Sequence, residues 1–98
     1  MSNIADNLKQ VLADSYALYI KTQNFHWNVT GPNFRSLHLL FEEQYTDLAA
    51  AIDEIAERIR TLGFKAPGSF KAYTSTTNIA DGDEEASAKE MVEQLAKD

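Results

Sequence analysis

Gly31-Pro32 is the feature that most constrains how this chain can fold. Before it, Ile4, Leu8, Val11, Leu12, Tyr19, Phe25 and Val29 recur at helical spacing, and after it Phe34, Leu37, Phe41, Tyr45, Leu48, Ile52, Ile55, Ile59 and Leu62 form a second apolar stripe. One continuous helix is excluded, because Pro32 lacks an amide donor and disfavours helix at the residue before it. The pattern therefore predicts an all-α chain whose core is an antiparallel hairpin of two long helices, reversing at Thr30 to Asn33. Ser2 or Asn3 is placed to cap the first helix, and Asp6 suits the positive end of its dipole. Asn33 is placed to cap the second, the Glu54–Arg58 pair adds a few tenths of a kcal/mol, and Gly63 is a natural terminator.

Beyond Gly63 the regularity weakens. The connection from Phe64 to Asp83 holds Pro67, Gly68 and the run Thr74-Ser75-Thr76-Thr77. A link this long carries structure of its own in a compact domain, and Ser69 to Tyr73 is expected to form a short helix. Asp81-Gly82-Asp83-Glu84-Glu85 lacks the ligand spacing of a calcium-binding loop and reads as an acidic start to the next helix. Ser87 to Lys97, with Met91, Val92 and Leu95, reads as helical.

The 98 residues predict one domain, 1–98. Fifteen acids against nine bases give a formal charge of −6, which disfavours a general nucleic-acid surface. The absence of cysteine removes disulfides and thiolate metal sites. Met1 to Asp6 has neither a basic region nor a long apolar run, so no signal peptide is expected. No segment has the length of a membrane span, and a cytoplasmic location follows as the expectation.

Both histidines and an unusual set of acids lie between residues 26 and 57. With His38 at zero and about 100° per residue, Glu42 falls near 40°, Asp53 near 60° and Glu57 near 100°. They share a face, but at about 1.5 Å per residue Asp53 is roughly 22 Å along the axis from His38 and Glu57 nearly 30 Å. Metal–ligand bonds are only about 2 Å long, so one copy of the helix cannot close a site. Two antiparallel copies can. The midpoint of 38 and 57 coincides with that of 42 and 53, between Asp47 and Leu48, so a twofold crossing there sets His38 beside the mate's Glu57 and Glu42 beside its Asp53. Reversal at Thr30 to Asn33 adds His26, because hairpin symmetry sets residue 26 opposite residue 37. Imidazole and carboxylate together suit iron, zinc or manganese. Either histidine alone is more readily an ordinary structural residue, and acids on a helix are usually a solvated face; the joint fit to one register is what favours a site.

Asn24-Phe25-His26-Trp27-Asn28-Val29, Gly31-Pro32-Asn33-Phe34, Leu37-His38, Phe41-Glu42-Glu43 and Asp53-Glu54-Ile55-Ala56-Glu57-Arg58-Ile59 resemble the Dps family, the mini-ferritins that protect DNA in starved bacteria. The resemblance implies a ferritin-like four-helix-bundle subunit. Here it would be mainly the first long hairpin, a short connecting helix and the start of a third helix, a single domain incomplete at its C-terminus. It implies iron ligands His26, His38 and Glu42 from one subunit and Asp53 and Glu57 from its twofold mate. Many family members carry Asp where this chain has Glu42, a conservative departure. Trp27 would lie beside the site, where the family's aromatic residue handles electrons; a packed core indole is the other reading.

Further expectations follow from the resemblance. The function would be ferroxidase: Fe(II) oxidised by hydrogen peroxide at intersubunit sites, with iron stored in a dodecameric cage in the full-length protein and DNA spared oxidative damage. Hard carboxylates suit Fe(III), while imidazole holds Fe(II). A DNA-compacting protein without ferroxidase activity, which would associate with the nucleoid, is a second possibility. Direct DNA binding is not expected, because the segment before the first helix has no Lys or Arg. A non-catalytic helical oligomer is the third, since two broad apolar faces cannot be buried by one hairpin alone. Classical di-iron bundles are disfavoured, because no Glu is followed by His three residues later.

Overall fold

The computed structural model describes residues 2–98, with side chains from Asn3 onward. Four helices follow in order: α1 (Ser2–Asn28), α2 (Phe34–Thr61), α3 (Phe70–Thr76) and α4 (Ala88–Lys97). Helices α1 and α2 form the expected hairpin. Gly31 turns it with φ +105°, a left-handed conformation that favours glycine. Asn33 is the N-cap of α2 but makes no side-chain cap bond. The Phe34 amide bonds the Gly31 carbonyl at 3.1 Å, so the turn backbone satisfies the first amide of α2, while the Arg35 and Ser36 amides that an asparagine cap would serve receive no bond from its side chain. At the other end of the hairpin, Asn3 lies inside α1 rather than capping it, and a cap from the Ser2 side chain lies outside the described residues.

Helix α2 ends as its glycine predicts. Gly63 has φ +92°, its amide bonds the Arg60 carbonyl at 3.0 Å, and the Phe64 amide reaches the Ile59 carbonyl at 3.3 Å. This paired arrangement satisfies carbonyls that the helix leaves orphaned, and Phe64 packs against the cluster that contains Ile59.

The core lies in two clusters along the rod. Leu12, Ile52 and Ile59 hold the end distant from the hairpin turn, bordered by Tyr16, Tyr19 and Tyr73. Phe25, Val29, Phe41 and Met91 hold the end near the turn, where α4 lies across the hairpin. Helix α4 is set by a capping box, in which Ser87 and Glu90 satisfy each other's backbone amides. Those bonds hold the Glu90 carboxyl below the usual range. The acidic run 81–85 is therefore loop, not the first turn of this helix. Its Gly82 sits against the core: a Cβ there would come within 2.9 Å of the buried Phe25 ring.

Helix α3 is longer than Ser69 to Tyr73, running to Thr76, and Ser69 caps it by accepting from the Ala72 amide. The following strap is pinned to α1 by Asp14. Its carboxylate accepts from the Thr77 hydroxyl at 2.6 Å, the Asn78 amide at 2.8 Å and the Gln10 side chain at 3.2 Å. Partial burial pushes the Asp14 carboxyl up, but these donors outweigh it and hold the group below the ordinary aspartate range.

The molecule is a rod of 49 × 22 × 20 Å. Its surface of 6554 Å² exceeds the value of about 5,600 Å² expected for a compact monomer of 11.0 kDa. Ile4, Val11, Ile20, Trp27, Phe34, Leu39, Leu40, Phe70 and Val92 are all exposed by more than two-fifths. Ile4, Val11 and Phe34 belong to the stripes expected to be buried; a single hairpin has one inward face per helix, and it fully covers none of the three. Among the described residues, no helix is long and apolar enough to cross a membrane.

Candidate metal centre

His26 lies in the last turn of α1 and His38 in the second turn of α2, so the tight hairpin brings them face to face. Their rings stack with centroids 3.7 Å apart and planes 16° from parallel. The contact is locked by reciprocal bonds: His26 Nδ1 lies 2.6 Å from the His38 carbonyl oxygen, and His38 Nδ1 lies 2.7 Å from the His26 carbonyl oxygen. A carbonyl only accepts, so each Nδ1 carries the proton and donates it. The last carbonyls of a helix lack intrahelical partners, and the His38 ring occupies one of them.

The chemical consequence lies on the opposite side of each ring. In the neutral imidazole with Nδ1 protonated, Nε2 keeps its lone pair and is the nitrogen able to accept a metal. A backbone carbonyl on the other ring nitrogen is the usual way a metal-binding histidine is oriented and its tautomer fixed. Two aromatic rings hold the pair in place. Phe34 stacks on His38 at 5.0 Å, and Tyr45 meets His26 edge-on at 5.2 Å. His26 is buried and His38 half-buried.

The roles of Phe34 and Tyr45 were hidden in the sequence, where both counted as positions in the apolar stripe. The available signal was spacing. Phe34 precedes His38 by four residues and Tyr45 follows it by seven, so all three lie along one line of α2.

The expected acids are placed differently. Glu42, Asp53 and Glu57 are all exposed on α2. None of the three makes a salt bridge or a side-chain hydrogen bond among the described residues. Asp53 and Glu57 border a shallow cleft of about 420 Å³ together with Arg60, Thr61 and Ala66. Among the described residues, no three His, Asp or Glu side chains of one chain come together as a metal-binding group. The structure thus brings His26 and His38 together and leaves the carboxylates apart, as the length of a straight α2 requires. Trp27 is 65% exposed and makes no ring contact among the described residues, so its indole is not part of this chain's core.

Comparison with known proteins adds the following. The family model for the ferritin-like domain matches residues 5–98. A protein of Bacillus anthracis named DNA protection during starvation protein 2 is 42% identical over 95 residues, covering 97% of this chain and 65% of that protein. The crystal structure of Dps from Staphylococcus aureus superposes with a TM-score of 0.96 at 36% identity, over 99% of this chain and 65% of that one. That of a Dps protein from Vibrio cholerae, described as a member of a broad superfamily of ferritin-like diiron-carboxylate proteins, gives 0.94 at 35% identity, over 98% of this chain and 60% of that one. The chain thus spans less than two thirds of the length of these relatives.

Proposed function

Because this chain belongs to the ferritin-like family and is similar to Dps proteins in sequence and structure, we propose that it supplies both halves of an intersubunit ferroxidase site. The observation that carries this reading is the reciprocal histidine lock, which fixes two imidazoles with their Nε2 lone pairs free. Iron is the substrate. His26, His38 and Glu42 of one subunit hold Fe(II), and Asp53 and Glu57 of the twofold mate complete its shell and favour Fe(III) once an electron has left. Hydrogen peroxide is the oxidant, taking one electron from each of two Fe(II) ions. Protection of DNA, which the name of the Bacillus anthracis relative states, and iron storage are the roles this chemistry would serve.

Two features support the paired arrangement. The carboxylates lie unpaired on an exposed flank of α2, which suits ligands that wait for another chain. The surface excess of roughly 900 Å² over a compact monomer is about what one partner buries in a standard interface. The twofold crossing between Asp47 and Leu48 accounts for both.

The test is Fe(II) oxidation by stoichiometric peroxide in this chain, in Asp53→Ala and in Asp47→Ala, with solution mass recorded on the same samples. Fast oxidation from a dimer or larger species, lost in Asp53→Ala and kept in Asp47→Ala, is the expected result. A well-folded oligomer that oxidises iron no faster than buffer would overturn the reading and leave a non-catalytic helical assembly.

A further inference from the structure

The ring of His38 is the middle of a three-ring stack. His26 lies against it with centroids 3.7 Å apart and planes 16° from parallel, and Phe34 lies against it at 5.0 Å and 20°. His26 and Phe34 make no ring contact with each other among the described residues, so they cover opposite faces of the imidazole. Both faces are taken and Nδ1 is bonded to the His26 carbonyl oxygen, which leaves the edge that carries Nε2. Phe34 owes this place to helix spacing, four residues before His38 on one line of α2. Yet Phe34 itself stays 44% exposed. Single exposed apolar residues are ordinary; the position of this one is what gives it meaning.

The twofold crossing between Asp47 and Leu48 sets His38 beside the mate's Glu57 and Glu42 beside its Asp53. The same midpoint sets Phe34 beside the mate's Thr61. Phe34, His38 and Glu42 follow one another at four-residue intervals, and so do Asp53, Glu57 and Thr61. The second trio all lies in the wall of one shallow cleft of about 420 Å³, whose lining is completed by Ala56, Arg60 and Ala66. That lining offers two carboxylates for a metal and short apolar groups for a ring. It matches a line of side chains that runs from a carboxylate through an imidazole to a phenylalanine.

We propose that Phe34 is a positioning residue of the intersubunit iron site: its ring holds the His38 imidazole in place within its own chain, and its exposed part closes the mate's cleft beside Thr61. This rests on the reading of His26 and His38 as iron ligands. Phe34 has no atom that binds iron, so it acts through its neighbours. A free imidazole swings about its side-chain bonds and carries its proton on either nitrogen. A ring clamped on both faces and bonded at Nδ1 does neither, so less freedom is lost when Nε2 takes up iron. On the other side, a phenylalanine seated in the cleft shuts out water where Glu57 arrives, which strengthens the attraction between iron and carboxylate.

The intact chain and three variants test this. Phe34→Leu keeps an apolar side chain but removes the flat face, Phe34→Tyr keeps the face, and Thr61→Trp fills the cleft from an exposed position at the end of α2. The first readout needs no iron: nitrogen-15 shifts of the imidazoles, recorded where both are neutral, report which nitrogen of His38 holds the proton. Wild type, Phe34→Tyr and Thr61→Trp are expected to show Nδ1 protonated, and Phe34→Leu a mixture of both tautomers. The second readout is peroxide-dependent oxidation against Fe(II) concentration, with solution mass recorded on each sample. KM for Fe(II) is expected to rise about tenfold in Phe34→Leu, the lower end of the cost of removing a support behind a metal ligand. With kcat changed far less, KM should recover in Phe34→Tyr. Thr61→Trp is expected to raise KM as well, with its His38 tautomer intact. A Phe34→Leu chain that keeps either the wild-type tautomer or the wild-type KM overturns the assignment while the iron site stands, as does a failure of Phe34→Tyr to recover. Wild-type KM in Thr61→Trp overturns the contact with the mate's cleft. A wild-type chain that oxidises no iron overturns the site and the part of Phe34 in it together.

Discussion

The two ends of α2 have been prepared to different degrees. Around His38 the chain completes its own work: the ring is stacked on His26, bonded to a carbonyl and covered by Phe34. Around Asp53 and Glu57, four to five turns further on, no salt bridge or side-chain hydrogen bond engages the carboxylates among the described residues. On the proposed reading, the imidazole ligands are preorganised by folding, while the hard carboxylates are left to assembly. Such a division suits the proposed intersubunit site: a monomer would hold only its nitrogen half, and pairing would supply the charge that retains Fe(III). It also puts folding and function on different residues, so substitutions at the two ends should separate them.

The largest expected effect comes from comparing His38→Ala with Glu57→Gln. Both should abolish peroxide-dependent iron oxidation, since each removes a ligand from every site. Only His38→Ala should also destabilise the fold, by about 1–3 kcal/mol, because it strips the stack from the buried His26 ring and one bond from the α1 terminus. Glu57→Gln, at an exposed and unpaired position, should stay within about 0.5 kcal/mol of wild type. Urea unfolding beside the oxidation assay reads both quantities. Equal destabilisation by the two substitutions would show that Glu57 has an intrachain role and would erase the contrast.

The next effect concerns what holds the histidine end together. Gly82 brings the loop before α4 onto the Phe25 ring, and the Asn24 side chain fastens the same loop by donating to the Gly82 carbonyl at 3.1 Å. Phe25 immediately precedes His26 and is fully buried with Phe41 and Met91, so it has little room to yield. Gly82→Ala is therefore expected to cost about 1–3 kcal/mol by overpacking, read as a lower denaturant midpoint. The cleft beside Asp53 should be untouched. Full stability in Gly82→Ala would mean that the loop shifts freely and that α4 does not brace the histidines.

Much of this was legible in the sequence, for physical reasons that differ from place to place. The hairpin followed from two apolar stripes and one Gly-Pro break. The meeting of His26 and His38 followed from symmetry about Thr30 to Asn33, and the failure of the acids to meet in one chain followed from helix rise. The hydrogen bonds that fix the histidine tautomers were not legible, because they join side chains to carbonyls and any residue has a carbonyl. Asn33 stands at the N-cap as its residue type suggests, but its side chain makes no cap bond, because turn geometry and not residue type decides whether the oxygen reaches the helix amides. The acidic run at 81–85 was misplaced because charge alone cannot distinguish the first turn of a helix from the loop before it. The Ser87–Glu90 spacing, which does distinguish them, lay two residues further on.

The smallest expected effect lies away from both ends, at Asp14, and it separates the strap from the site. The folded carboxyl is held below its unfolded value by donors from Thr77, Asn78 and Gln10, which outweigh the opposing effect of burial. A depressed carboxyl stabilises the fold at pH values above its unfolded pKa of about 3.9. That contribution is lost as pH falls through the lower folded value. With solvent close by, the contribution is about 1 kcal/mol. Asp14→Ala should therefore melt below wild type at neutral pH, and the gap should close as pH drops beneath the ordinary aspartate range. A gap that persists into acid would mean that Asp14 acts through packing of its side chain and not through its charge. Iron oxidation at the histidine end should continue in this variant, because Asp14 holds the strap and touches neither histidine.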